Sequence, residues 1–149
     1  MSTILGDVVH QALGVDALKD SLRELCELVV PYGGRLCLVL GNHDSGLPER
    51  VAQWNLPVTV TREFSLAGWQ LVHGDQPVGA SPGSRTISGH EHPCVTLGDG
   101  LTTRVKVPAF LWGKQSLLLP AFSSWAAGTN AHPGGFSGPV ANAGNYSHA

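Results

Sequence analysis

The sequence predicts an α/β domain on two observations: a strand–helix–strand run opens the chain, and a later set of short strands ends in polar, ligand-type residues. Ile4-Leu5 is a short apolar run that meets Gly6-Asp7. Over 16–29 the apolar residues Leu18, Leu22, Leu25 and Val29 recur at helical spacing, with Asp16, Lys19, Asp20, Arg23, Glu24 and Glu27 on the other face. Pro31 and Gly33-Gly34 end this helix. Leu36-Cys37-Leu38-Val39-Leu40 then reads as a strand buried on both faces, as expected in a parallel pair. Two parallel strands joined by one crossover place their carboxyl ends on the same sheet edge, so Asp7 and Asn42 are expected to be neighbours.

Downstream, 48–54 reads as a short helix, and 58–61, 63–66, 69–72 and 86–88 read as strands separated by polar or glycine breaks. The strand at 69–72 runs into His73-Gly74-Asp75, and the one at 86–88 runs into Gly89-His90-Glu91-His92-Pro93. Two or three further strands are expected over 101–122, with alternation clearest in Thr103-Arg104-Val105-Lys106-Val107, to complete a second sheet. From 129 onward Gly, Asn, Ser and Ala dominate and bury too little apolar surface to offset the entropy of ordering. Residues 1–128 are therefore expected to form the domain and 129–149 a flexible tail.

A chain of 149 residues supports one sizeable core. With 42% hydrophobic and 13% charged residues it is not a disordered polyelectrolyte. Nine basic against eleven acidic side chains give a net charge of -2, so no global field draws in nucleic acid or an anionic membrane, and no aromatic-basic stripe is visible. The apolar runs fall far short of the roughly 20 residues of a spanning helix, and no signal peptide opens the chain; no membrane partner is expected. Cys26, Cys37 and Cys94 are scattered without a C-x-x-C pair, which points to a reducing cytoplasm.

Four polar clusters follow strands: Gly6-Asp7-Val8-Val9-His10, Gly41-Asn42-His43-Asp44, His73-Gly74-Asp75 and Gly89-His90-Glu91-His92. Singly, a strand-end Asp reads as a cap and a lone His as a surface or satisfied core residue. Together they supply the oxygen and nitrogen donors that suit Mn, Fe, Zn or Ni. Gly6-Asp7-x-x-His10, Gly41-Asn42-His43-Asp44, His73 and Gly89-His90-x-His92, in that order, resemble motifs two to five of the calcineurin-like metallophosphoesterases, over residues 3 to about 125. The segments 107–110 and 119–123 resemble the small subgroup that includes the DNA-ligase-associated phosphoesterases, and this alone brings in nucleic acid as a partner.

The resemblance implies a four-layer α-β-β-α sandwich of two mixed sheets. It implies an enzyme that hydrolyses a phosphomonoester or phosphodiester with water activated by divalent metal, Mn2+ being the expected ion and Fe, Zn or Ni also compatible. Residue by residue, Asp7 would bridge two ions, Asn42, His73 and His90 would complete one site, and His92 would belong to the other. His43 would be the general acid toward the leaving oxygen, with Asp44 holding its imidazole. His10 is either a supporting group behind the metal ligands or an ordinary loop histidine.

The family's opening Asp-x-His element has no counterpart before Asp7, so one well-formed site and one with two protein ligands are expected. A βα segment carrying that element needs about 30 residues, and the chain reads either as truncated at its start or as an inactive relative. An open strand edge beside Ile4 and the strand at 36–40 would invite homo-oligomerisation. The competing reading is a non-catalytic metal-binding or partner-binding module on the same scaffold. His90-Glu91-His92-Pro93-Cys94 lacks the Pro-Cys-x-x-Cys of zinc deaminases and the His-Glu-x-x-His of metalloproteases. A structural zinc site from His90, His92, Cys94 and one remote ligand stays open. Gly79 to Gly83 lacks the Gly-Lys-Ser/Thr ending of a phosphate loop.

Overall fold

Short apolar runs bounded by glycine and polar loops give strand β1 (Ser2–Leu5), helix α1 (Val15–Val29) and strand β2 (Leu36–Val39) in the computed structural model. It describes residues 1–9, 15–77, 83–99, 101–123, 126, 128–131, 136 and 146–148. β1 and β2 pair in parallel, Ser2 opposite Leu36 and Leu5 opposite Val39. β3 (Val58–Thr61) pairs in parallel with β2 on its other side, and all four residues of this central strand are buried. This sheet has the order β1-β2-β3.

Leu22 and Cys26 of α1 are buried against Leu36 and Leu38 of β2, with Leu18 packed beside them. The buried stripe therefore runs 18, 22, 26, and the sequence reading that put Leu25 in it is corrected: Leu25 is 37% exposed where Cys26 is 4%. A cysteine is small and apolar enough to fill the closest approach of helix to sheet, and the leucine beside it is left at the margin. Helix α2 (Leu47–Trp54) adds Leu47 and Val51 to the same core, at roughly 1.5–3 kcal/mol for each fully buried aliphatic side chain. No helix among the described residues is long and apolar enough to cross a membrane.

The second sheet opens with a hairpin of β4 (Glu63–Leu66) and β5 (Trp69–Val72), whose two-residue turn Ala67-Gly68 has positive φ at both positions. β6 (Arg85–Ser88) pairs in parallel with β5, so His73 and Gly89-His90 leave the sheet side by side. β7 (Pro93–Gly98) and β8 (Arg104–Pro108) form an antiparallel hairpin. β9 (Leu111–Gly113) and β10 (Ser116–Leu118) return to the second sheet. Two short strands follow, β11 (Thr129–Asn130) against β7 and β12 (Tyr146–His148) against β9. The sheet orders are β12-β9-β10-β6-β5-β4 and β11-β7-β8.

One expectation changes. Residues 101–122 do not all complete one sheet, because β8 pairs with β7, and β7 begins at Pro93 where the sequence shows only the end of a ligand loop. Proline is tolerated there as the first residue of a strand. Of the stretch expected as a tail over 129–149, the described residues include β11 and β12, and Ala131 and Phe136, which pack on buried Leu111 and Leu118. The sequence reading treated that stretch by composition, while backbone pairing to an existing strand asks little of the side chains.

Candidate metal centre

Parallel pairing brings the ends of β1 and β2 together, and the loops there interlock. Buried Asp44 accepts the backbone N–H groups of Asp7 (2.8 Å) and Gly41 (2.8 Å) on Oδ2 and that of Val9 (3.1 Å) on Oδ1. In return Asp7 Oδ1 accepts the N–H of His43 at 3.1 Å. Asp7 sits at φ 52, a left-handed conformation uncommon for a side-chain-bearing residue and held here by those bonds. Gly6 precedes it at φ 78, and a Cβ there would run into the ring of His73; a Cβ on Gly41 would run into the carboxylate of Asp7. Both glycines are demanded by close approach to the donor groups.

His73, 1% exposed, is the hub. Its Nδ1 lies 3.1 Å from the carbonyl oxygen of Leu5, an acceptor, so Nδ1 carries a proton. Around its Nε2 stand Asp7 Oδ2 at 3.1 Å, Asn42 Oδ1 at 3.2 Å and His90 Nδ1 at 3.0 Å. In the neutral ring Nε2 presents a lone pair, and it would face carboxylate and amide oxygens that also present lone pairs. Such a cluster calls for a cation at its centre, whether a proton or a metal. Asp7, His73 and His90 meet the distance condition for a shared ion, their ligand atoms all lying within 4.8 Å of one another.

The titration behaviour follows from the same contacts. For His73, burial opposes protonation, but the hydrogen bond to Asp7, the Leu5 carbonyl and the charges of Asp7 and Asp75 outweigh it and raise its pKa. For Asp7, burial pushes upward, while the bonds from His73 and the His43 N–H prevail and lower the pKa. His92 is lowered, first by burial and then by the neighbouring His73 and His90, against the pull of Asp7.

The structure thus brings together Asp7, Asn42, His73 and His90. His92, half-buried at φ 47, lies within electrostatic reach of this group. His43 is exposed at the rim and is tied to the cluster through its backbone. Asp44, expected to hold the His43 imidazole, accepts three backbone N–H groups and through them orients Asp7. His10 lies outside the described residues. Among the described residues the zinc alternative through Cys94 does not assemble: that thiol lies 3.5 Å from Asn130 Oδ1, and the group that could hold an ion is Asp7, His73 and His90. Sequence reasoning missed the Leu5 carbonyl, which no side-chain pattern can signal, and Asp75, which stood in the His73-Gly74-Asp75 cluster without a role.

No family model and no curated protein matches this sequence. Among solved structures, the chain is similar to the crystal structure of Pseudomonas putida nuclease MPE, with a TM-score of 0.66 and 27% identity. The similarity is to a nuclease. It covers 89% of this chain and 62% of that one, so the chain spans less than two thirds of the nuclease's length. The comparison is thus compatible with an α/β fold of nuclease or phosphoesterase type, and the structure of this chain adds a group of one Asp and two His able to bind one metal ion.

Proposed function

We propose that this chain carries the metal centre of a metal-dependent phosphodiesterase of the calcineurin-like type, acting on nucleic acid and built as a four-layer α-β-β-α sandwich. The observation that carries the reading is the convergence of Asp7, Asn42 and His90 on Nε2 of His73. Two imidazoles, one carboxylate and one neutral amide oxygen form a donor set of low charge that suits Mn2+, Fe, Zn or Ni, with Mn2+ favoured. Such an ion lowers the pKa of water to about 7 and neutralises charge on a phosphate.

The chain's own residues do the rest. Asp44 fixes the backbone of Asp7, and Leu5 fixes the tautomer of His73, so the donors are set before an ion arrives. Asn42 would contribute an oxygen without charge, which would keep a bound ion electrophilic. His43, exposed beside Asn42, is free to reach a substrate oxygen and give it a proton. The similarity to a nuclease supports a nucleic-acid phosphodiester as substrate. Three cysteines, all buried and free, suit a reducing cytoplasm.

A second reading, a non-catalytic metal-binding module, is favoured by one observation: among the described residues one group, Asp7, His73 and His90, meets the distance condition for an ion, and no second group does. Hydrolysis of a bis-aryl phosphate with Mn2+ separates the two. The enzyme reading expects turnover that Asn42→Ala and His73→Ala abolish; metal binding without turnover would favour the module, and equal turnover in the variants would remove the site assignment.

A further inference from the structure

We propose that Trp69, Arg85 and Trp112 form a stacking platform for the bases of a single-stranded nucleic acid, with Lys114 placed to take a phosphate. These residues lie 16 and 27 positions apart, so no aromatic-basic stripe shows in the sequence; the sheet assembles one. Trp69 is paired with Arg85 across β5 and β6, and the guanidinium carbon of Arg85 lies 4.7 Å from the Trp69 ring centre. Trp112 meets Trp69 edge-on, at 5.8 Å between centroids and 68° between planes. The cross-strand pairs Trp112–Leu117, Leu117–Ile87 and Ile87–Leu71, with Arg85 and Trp69 two residues back on their strands, place all three on one face of the six-stranded sheet.

The cluster is not sealed. Trp112 is 55% exposed, Arg85 is exposed, and Leu66 beside Trp69 is 46% exposed. An indole and a guanidinium plane open to water are surfaces on which any base can stack. Charge selects the partner. Strands β5, β6, β9 and β10 and the turns at 67–68 and 114–115 carry Arg85 and Lys114 and no acidic residue. After Asp99 the whole chain has Arg104, Lys106 and Lys114 and no Asp or Glu. A polyanion with exposed aromatic faces fits this surface, whereas a purely apolar partner would leave the cations unanswered.

Placement connects the platform with the metal centre. Trp69 and Arg85 begin the two parallel strands that end at His73 and Gly89-His90, so the platform lies about 13 Å from the donors along β5. A strand held there would have its neighbouring nucleotides directed along the sheet toward the cluster. This inference rests on the nucleic-acid reading above and names the single strand as the form bound.

The test is fluorescence anisotropy of a labelled oligothymidylate of about a dozen nucleotides with the full chain in EDTA, where no cleavage can interfere. Trp112→Ala is expected to weaken binding roughly 5- to 100-fold, the loss of one stacked base. Arg85→Gln, which removes the charge and keeps a polar side chain, is expected to weaken it less and to flatten its salt dependence. Thermal melts confirm that each variant is folded, and light scattering follows the oligomer. Unchanged affinity in both folded variants would overturn the platform. So would a loss of affinity that coincides with dissociation of a dimer through Trp112, because the face would then belong to a second copy. Binding that depends on Trp112 in a protein without phosphodiester turnover would uphold the platform and remove only the hydrolase reading.

Discussion

Replacing Asp44 by Asn tests whether the buried carboxylate organises the metal centre. The wild-type side chain accepts three backbone N–H groups from two loops, two on Oδ2 and one on Oδ1. An amide keeps one acceptor oxygen and can retain the bonds to Asp7 and Gly41, but its NH2 then faces the N–H of Val9, donor against donor. The loss of one charge-assisted bond, with a donor left unpaired, is worth about 1.5–3 kcal/mol. In a chain of this size each kcal/mol moves the melting temperature by about 2–4 °C, so the variant should melt roughly 3–12 °C lower. The bond that holds Asp7 at φ 52 would also weaken from charge-assisted to neutral, and metal affinity should fall about 10- to 100-fold, as it does when groups supporting ligands are altered. Differential scanning fluorimetry and calorimetric titration with Mn2+ read the two effects. A variant that melts within 1 °C of wild type and binds Mn2+ equally would refute the reasoning.

Other expectations follow from the same geometry. His43→Ala should keep its metal content, measured by inductively coupled plasma spectrometry, and lower turnover by about a hundredfold or more; loss of metal would make His43 a ligand. Gly41→Ala should push the Asp7 carboxylate aside, costing about 1–3 kcal/mol in urea unfolding and weakening Mn2+ binding, and an unaltered titration would contradict it. The pH dependence has a defined sign. His73, raised above 6.5, stabilises the metal-free fold fully below that value and loses the contribution as pH climbs through its higher folded pKa. Asp7, lowered below 3.8, stabilises above that value and loses the contribution as pH falls through its folded pKa. The pair therefore contributes most between 3.8 and 6.5. A metal needs His73 neutral at Nε2, so the rise in melting temperature on adding Mn2+ should grow from pH 5 to pH 8, and an equal rise at both would contradict the assignment.

Much of the donor cluster was legible because parallel strands leave little freedom. Once 36–40 is read as a buried parallel strand after a crossover helix, Asp7 and Asn42 must share an edge, and the register of β1 with β2 places them there. His73 and His90 follow from the same rule applied to β5 and β6. What stayed hidden depends on contacts without a sequence period. Nothing in Gly41-Asn42-His43-Asp44 says that the Asp side chain turns back to three N–H groups. Helical spacing alone could not choose between Leu25 and Cys26, because both border the same stripe and only the approach of the sheet decides. β7 was obscured because Pro93 and Cys94 look like the close of a ligand loop, and Trp69, Arg85 and Trp112 became one surface only through the pairing of four strands.

The most direct test is calorimetric titration of metal-free protein with Mn2+, alongside His73→Ala. Tight uptake of one equivalent by the wild type, with protons released, and its loss in the variant are the expected result. No uptake by a folded wild type, or the same uptake without His73, would contradict the claim that these four donors share a cation.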